Sequence, residues 1–351
     1  MSTHRVLGLF IAAFAVIGLA IWISSQRHLE HATLSGDPVL PGLEHGINDV
    51  TQVRLRKGDG TQVTLKKEAE GWSVAERSWP AQVSKVRKLL LDLGALNVVE
   101  EKTRLAANYP ALGVEDLGTP KAAGVQITAT APARTWDIII GKPAGAKSGY
   151  VRLAGAPASL LAAPLLMPEA DPKLWLETAI IDLPLERVRE VEEHPSQGGA
   201  YTLSRQKTDD PHFQVQPLPK GRELNGPAAA DSLAAALSGL SLLDVAKAPP
   251  TPAAATERSV FRTFDGLEIE VTGRKDGTRA VIALHAHAAQ PAASDEARKL
   301  AAHVDGWEFE IPEYKYAALF TPVTQLLKPL PEPAKKQPQA KAKAPAPAPH
   351  P

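Results

Sequence analysis

Val6 to Ile23 (VLGLFIAAFAVIGLAIWI) runs without one charged or strongly polar side chain, and no other feature of the chain constrains its fold as much. At about 1.5 Å rise per residue, a helix of that length just covers a hydrocarbon core of roughly 30 Å. Trp22 falls where an interfacial aromatic is placed. The expected organisation therefore opens with a cytoplasmic leader (1–5), a transmembrane signal anchor (6–23) and a linker (24–46). A cleavable secretory leader competes with this reading, because Met1 to Arg5 is a short basic start. The apolar run exceeds the roughly 7 to 15 residues of a usual leader core, and Ile23-Ser24-Ser25-Gln26 offers no A-x-A cleavage site. Arg5 and Arg27 flank the run almost symmetrically, so charge alone leaves orientation open. A short leader inserts most simply with its amino terminus inside, which delivers the bulk of the chain to the periplasm of a Gram-negative cell. No cysteine is present, which excludes a lipoprotein route and fits a domain large enough to do without disulfides.

The rest of the chain reads as globular. Basic and acidic residues balance at 39 each, so no large nucleic-acid footprint is implied, and the length past the anchor suits two domains. Val53-Arg54-Leu55-Arg56 and Val63-Thr64-Leu65-Lys66 alternate apolar and polar about the turn Lys57-Gly58-Asp59-Gly60, which predicts a β-hairpin. Glu70-Gly71 turns the chain again and Trp72-Ser73-Val74 starts a third strand, giving an antiparallel meander. Trp79-Pro80-Ala81 is expected to open a helix whose apolar stripe is Val83, Val86, Leu89, Leu90, Leu93 and Leu96. Strands are expected at Val98-Val99, Val125 to Thr128, Trp136 to Ile140 and Tyr150 to Leu153.

The second half repeats this order. Val188 and Val191 stand where Val50 and Val53 stand, Tyr201 to Leu203 replaces the second strand, and Phe213 to Val215 replaces the Trp72 strand. Leu233, Leu237, Leu240 and Leu243 give a helical stripe, Asp244 to Lys247 echoes Val99 to Lys102, and strands return at Leu267 to Val271, Val281 to Leu284 and Trp307 to Ile311. A short aromatic segment, Tyr314 to Phe320, closes the second half. The fold class expected is thus α+β: a transmembrane helix, then two similar repeats of antiparallel meander plus helix over 47–170 and 171–327. Beyond Leu330 the chain is Pro, Ala and Lys with the single acid Glu332, so 328–351 is expected to be a disordered tail.

These motifs in this order resemble family 4340 of the bacterial domains of unknown function. The residues that carry the resemblance are the hairpin leading to Glu70-Gly71-Trp72, Trp79-Pro80-Ala81, Tyr109-Pro110-Ala111-Leu112-Gly113-Val114, Ile138 to Lys142 and Tyr150-Val151-Arg152-Leu153. It extends over most of Ile47 to Leu327. The resemblance implies one N-terminal span and an accessory envelope role beside ABC-type transporters of the gliding-motility kind. The family has no established catalytic residues, so none is carried over.

Candidate chemistry is sparse. Gly141-Lys142-Pro143-Ala144-Gly145-Ala146-Lys147-Ser148 is one residue from a G-x-x-x-x-G-K-[ST] phosphate loop. Ala146 occupies a required glycine position, and Gly149 to Leu153 reads as a strand where that loop needs a helix, so a hairpin loop and no nucleotide are expected. His285 and His287 fall on one face of a strand with His303 near in sequence, the only candidate metal set, for zinc, and it lacks a fourth partner. Partly exposed strand histidines are the plainer reading, with no metal or other cofactor expected. No serine sits in a G-x-S-x-G elbow. The carboxylate pairs Glu100-Glu101, Glu192-Glu193 and Asp209-Asp210 point apart if on strands. Trp72, Trp79, Trp136, Trp175 and Trp307 suit either a sugar groove or, more simply, core anchors. The sequence therefore points to a non-catalytic accessory or scaffold protein held in the inner membrane, with an ABC-type permease or related envelope subunit as partner. A wall- or carbohydrate-binding module and a zinc-dependent hydrolase on His285 and His287 are the alternatives.

Overall fold

A computed structural model describes residues 36–118, 121–251 and 254–329. The anchor Val6 to Ile23 with Trp22, and the tail from Leu330, lie outside the described residues. Among the described residues no helix is long and apolar enough to cross a membrane. The protein is mixed α and β, mostly antiparallel sheet with few helices, and packs as two compact units. The described part of unit 1 is 36–118, 121–180, 241–251 and 306–312; that of unit 2 is 181–240, 254–305 and 313–329.

Unit 1 begins with the short helix α1 (Leu43–Gly46) and the meander β1 (Gln52–Lys57), β2 (Gln62–Glu68), β3 (Gly71–Val74) and β4 (Trp79–Pro80). The β1–β2 turn closes as its sequence predicts: the Thr61 amide donates to Asp59 Oδ1 (2.8 Å), and Gly60 takes φ +90°. Helix α2 (Val83–Gly94) leads to β5 (Asn97–Thr103), and α3 (Tyr109–Leu112) precedes β6 (Val125–Ala131), β7 (Arg134–Pro143), β8 (Gly149–Leu153) and β9 (Ser159–Ala163). The nine strands order as β4-β3-β2-β1-β6-β7-β8-β9-β5.

Trp79-Pro80 does not open the helix. It forms edge strand β4, with Ser73 opposite Pro80 and Val74 opposite Trp79. Proline lacks the ladder donor, so an edge is where a strand tolerates it. The helix starts three residues later than the Pro signal implies. Val86, Leu89, Leu90 and Leu93 face the core as expected, whereas Val83 in the first turn is half exposed.

Beyond the short β10 (Ala179–Ile181), unit 2 carries β11 (Val188–His194), β12 (Tyr201–Ser204) and β13 (Gln214–Gln216), then α4 (Asp231–Ala234). The leucine stripe from Leu233 does not continue as a helix. Asp182 Oδ1 accepts from the Gly239 amide (2.8 Å) and from the Ser238 hydroxyl (3.2 Å), and Gly239 turns at φ +55°. Leu240 then enters the short strand β14 (Leu240–Ser241), and Leu243 is left half exposed. The chain next contributes β15 (Asp244–Lys247) to unit 1, and returns as β16 (Glu257–Thr263), β17 (Leu267–Asp276) and β18 (Arg279–Ala288). Helix α5 (Ser294–Val304) follows, then β19 (Trp307–Ile311), antiparallel to β15 in unit 1, and helix α6 (Glu313–Leu319) in unit 2.

The unit 2 strands run β13-β12-β11-β16-β17-β18. Strands β9 and β16 and helix α5 have no counterpart in the sequence reading, which takes the stretch around Asp295 and Glu296 as loop. Helix α5 has no side-chain cap, and its buried face includes the small Ala297, so it sends neither a capping nor a strong apolar signal.

Candidate functional site

The two faces of the unit 2 sheet hold its chemistry. On one face, alternate residues of four strands align in register. Glu190 faces Arg262, Arg262 faces Glu268, and Glu268 faces His287. One step along, Glu192 faces Val260, Val260 faces Glu270, and Glu270 faces His285. Arg262 reaches three carboxylates, at 2.8 Å to Glu190, 3.0 Å to Glu192 and 2.9 Å to Glu268. Arg258 pairs with Glu270 at 2.7 Å, and His194 lies 2.9 Å from Glu192. Hydrogen bonds from His194 and Arg262 lower the Glu192 pKa, and that from Arg258 lowers the Glu270 pKa. Val260, between Arg258 and Arg262 on this face, is nonetheless wholly buried. Four carboxylates thus share one face with two guanidinium groups and the imidazoles of His194, His285 and His287.

The other face carries a different row. Tyr201 on β12, Glu193 on β11 and Ser259 on β16 are direct cross-strand neighbours, and each is buried, Glu193 and Ser259 at 0 % exposure. The Ser259 hydroxyl lies 2.6 Å from Glu193 Oε2 and 2.8 Å from the Leu319 carbonyl oxygen. The Tyr201 hydroxyl donates to the Thr321 carbonyl, and the Tyr316 hydroxyl to Glu257. Glu193 Oε1 has no hydrogen-bond partner among the described residues. Burial pushes the Glu193 carboxyl well above the usual carboxylate range, and the negative charge of Glu257 adds to the effect. The Tyr201 phenol is likewise pushed up, first by burial and then by Glu193.

The structure separates the sequence candidates. Glu192 and Glu193 do point apart, one to each face. His285 Nδ1 lies 3.2 Å from Asp305, His287 Nε2 lies 3.2 Å from Glu268, and His303 stands on α5 beside an open cavity of about 470 Å³ with Glu296 and Lys299. Among the described residues no three His, Asp or Glu side chains are arranged to hold a metal ion. Asp210 accepts from the Gln206 and Lys207 amides and shapes a turn, while Glu100 pairs with Lys102 and Glu101 with Arg104.

Gly141 to Pro143 end strand β7, and Ala144 to Ser148 form the β7–β8 hairpin loop, closed by the Ala144 amide donating to Ser148 O (2.9 Å). Its first glycine serves packing: a Cβ on Gly141 would lie 2.5 Å from Leu112 O and 2.6 Å from Val114 Cγ1. Lys142 Nζ donates to the Pro110 and Ala111 carbonyls at 3.2 and 3.0 Å, so the lysine serves the α3 helix where a phosphate loop would use it on a nucleotide. Trp79, Trp136 and Trp175 are buried core residues, with Trp79 set edge-on to Trp307 at 5.2 Å. Trp72 and Trp307 are half-buried. Trp72 and Trp79 border a cavity of about 490 Å³ at the β2–β4 edge with Lys66, Glu68, Ser73 and Ser78. Trp72 shares the face of core-facing Val74, whereas Lys66 and Ser73 pair on the opposite face and line the cavity with polar groups.

Sequence pattern marks Tyr201 only as the start of a strand and Tyr316 only as part of an aromatic segment, and gives no signal for Glu257 or Ser259, although alternation from Val191 puts Glu193 on the inward side.

The family described as a domain of unknown function (DUF4340) matches residues 72–258, more than half of the chain. The chain belongs to that family. No curated protein and no solved structure matches it.

Proposed function

We propose that this chain is a non-catalytic, membrane-anchored accessory or scaffold protein of the periplasm, associated with an ABC-type transport or gliding-type machine. The observation that carries the reading is the exposed face of β11, β16, β17 and β18, where Arg262 gathers three carboxylates and His285 and His287 stand more than half exposed. A sheet surface of mixed, mutually paired charge suits recognition of a polar protein surface, where charges set partner choice and register. The apolar run Val6 to Ile23 supports tethering in the inner membrane, and the envelope role is the one that the family resemblance implies.

The architecture belongs to the same proposal. Strands β3-β2-β1-β6-β7-β8 and β13-β12-β11-β16-β17-β18 follow one order, and β5 pairs with β9 as β15 pairs with β19. This agreement supports descent of both halves from one duplicated unit.

Affinity purification of the tagged full-length protein from native membranes after brief crosslinking tests the function. Permease and ATPase subunits should co-purify, and Arg262→Ala, a small loss for the fold, should reduce their yield relative to the protein's own recovery. Recovery of the protein alone would overturn the reading. Recovery with wall fragments would favour the wall-binding alternative, to be checked by sedimentation with purified cell wall. Stoichiometric zinc in the purified protein would favour the hydrolase reading on His285 and His287.

A further inference from the structure

We propose that Glu193 is a carboxylic acid in the folded protein, and that its proton latches the C-terminal helix α6 onto the unit 2 sheet. Ser259 Oγ is within hydrogen-bond distance of two acceptors, Glu193 Oε2 at 2.6 Å and Leu319 O at 2.8 Å, but a hydroxyl has a single proton to give. The Leu319 carbonyl can only accept. It is the last residue of α6, where helix carbonyls lack partners within the helix. Both contacts are satisfied only if Glu193 donates to Ser259 and Ser259 donates to Leu319.

The surroundings point the same way. A buried carboxylate needs several donors, and Glu193 Oε1 has none. The titratable groups acting on it are Tyr201 from β12 and Glu257 from β16, and Glu257 in turn accepts a hydrogen bond from Tyr316 of α6. The two tyrosines are neutral phenols at physiological pH, and Glu257 is an acid.

The relay holds more than one carbonyl. Tyr201 and Ser259, on either side of Glu193, grip Thr321 O and Leu319 O, two residues apart on the same strap of backbone. Between them the ring of Phe320 lies over Gly273, where a Cβ would come within 2.3 Å of it. Ionising Glu193 removes the donor to Ser259, forces its proton toward the carboxylate and strands the Leu319 carbonyl. Opening α6 lets the carboxylate reach water. Closure is therefore favoured fully below the ordinary glutamate range, and the advantage is lost as pH rises from there through the elevated folded value.

Hydrogen–deuterium exchange of the full-length protein across pH tests the latch. Protection factors, which already remove the intrinsic pH dependence of exchange, are compared for amides 313–321 and for β1 and β6 of unit 1. One linked proton predicts that protection over 313–321 falls about tenfold per pH unit within the window, while β1 and β6 stay flat. Glu193→Gln, whose amide keeps a donor toward Ser259, should flatten the 313–321 response. A flat wild-type response over 313–321 would overturn the latch whether or not the variant folds. An unchanged slope in Glu193→Gln would do the same by moving the proton elsewhere.

Discussion

Two rows of three residues cross the two sheets, each two residues beyond an inward valine, and they are built from opposite materials. In unit 1, two residues past Val53, the row is Val63, Leu55 and Ile127, each with 1 % exposure or less. In unit 2, two residues past Val191, it is Tyr201, Glu193 and Ser259, each with 2 % exposure or less. The first row is held by dispersion and exclusion of water, forces without direction. The second is held by hydrogen bonds whose partners are fixed atoms of one strap, Leu319 and Thr321. An apolar row accepts whatever packs well against it. A polar row accepts only the segment that satisfies it, and its strength depends on a proton.

The largest effect should come from exchanging the rows. Leu55→Glu would place a carboxyl among apolar neighbours with no hydroxyl to receive its proton, at a loss of about 4 kcal/mol or more. Denaturant unfolding measures it, and a loss below about 1 kcal/mol would mean that unit 1 tolerates polar groups as unit 2 does.

Next comes the polar row itself. Ser259→Ala strands both the Glu193 acid and the Leu319 carbonyl, and should cost about 2 to 3 kcal/mol. Glu193→Leu leaves Ser259 free to serve Leu319, and should cost about 1 kcal/mol while removing part of the pH dependence. The order is the test: a larger loss in Glu193→Leu than in Ser259→Ala would contradict the relay.

The smallest effect should be on the charged face. Arg262→Ala leaves Glu190, Glu192 and Glu268 without their shared cation, but all are partly exposed to solvent, so about 1 kcal/mol is expected, shrinking in added salt.

Much of this contrast was readable along the chain, and its decisive part was not. Alternation and turn chemistry fix the Val53 to Lys66 hairpin, and the same alternation carried on from Val191 sends Glu193 inward. Nothing local shows that Ser259, distant in sequence, will be its neighbour, or that Leu319 O will need a donor, because register joins residues that share no pattern. The helix entry at Trp79-Pro80 misled for a related reason: pairing with β3 outweighed the proline signal. Helix α5 stayed hidden because alanine fills part of its buried face. The phosphate-loop likeness at Gly141 dissolves once the Tyr109–Leu112 helix is seen lying against that glycine.

Infrared difference spectroscopy at neutral pH, wild type minus Glu193→Gln, decides the matter at the atom concerned. A protonated-carboxyl band present in the wild type and absent from the variant is the expected result. A difference spectrum showing only carboxylate bands would mean that Glu193 is ionised inside the sheet, and the contrast between the two rows would then need another explanation.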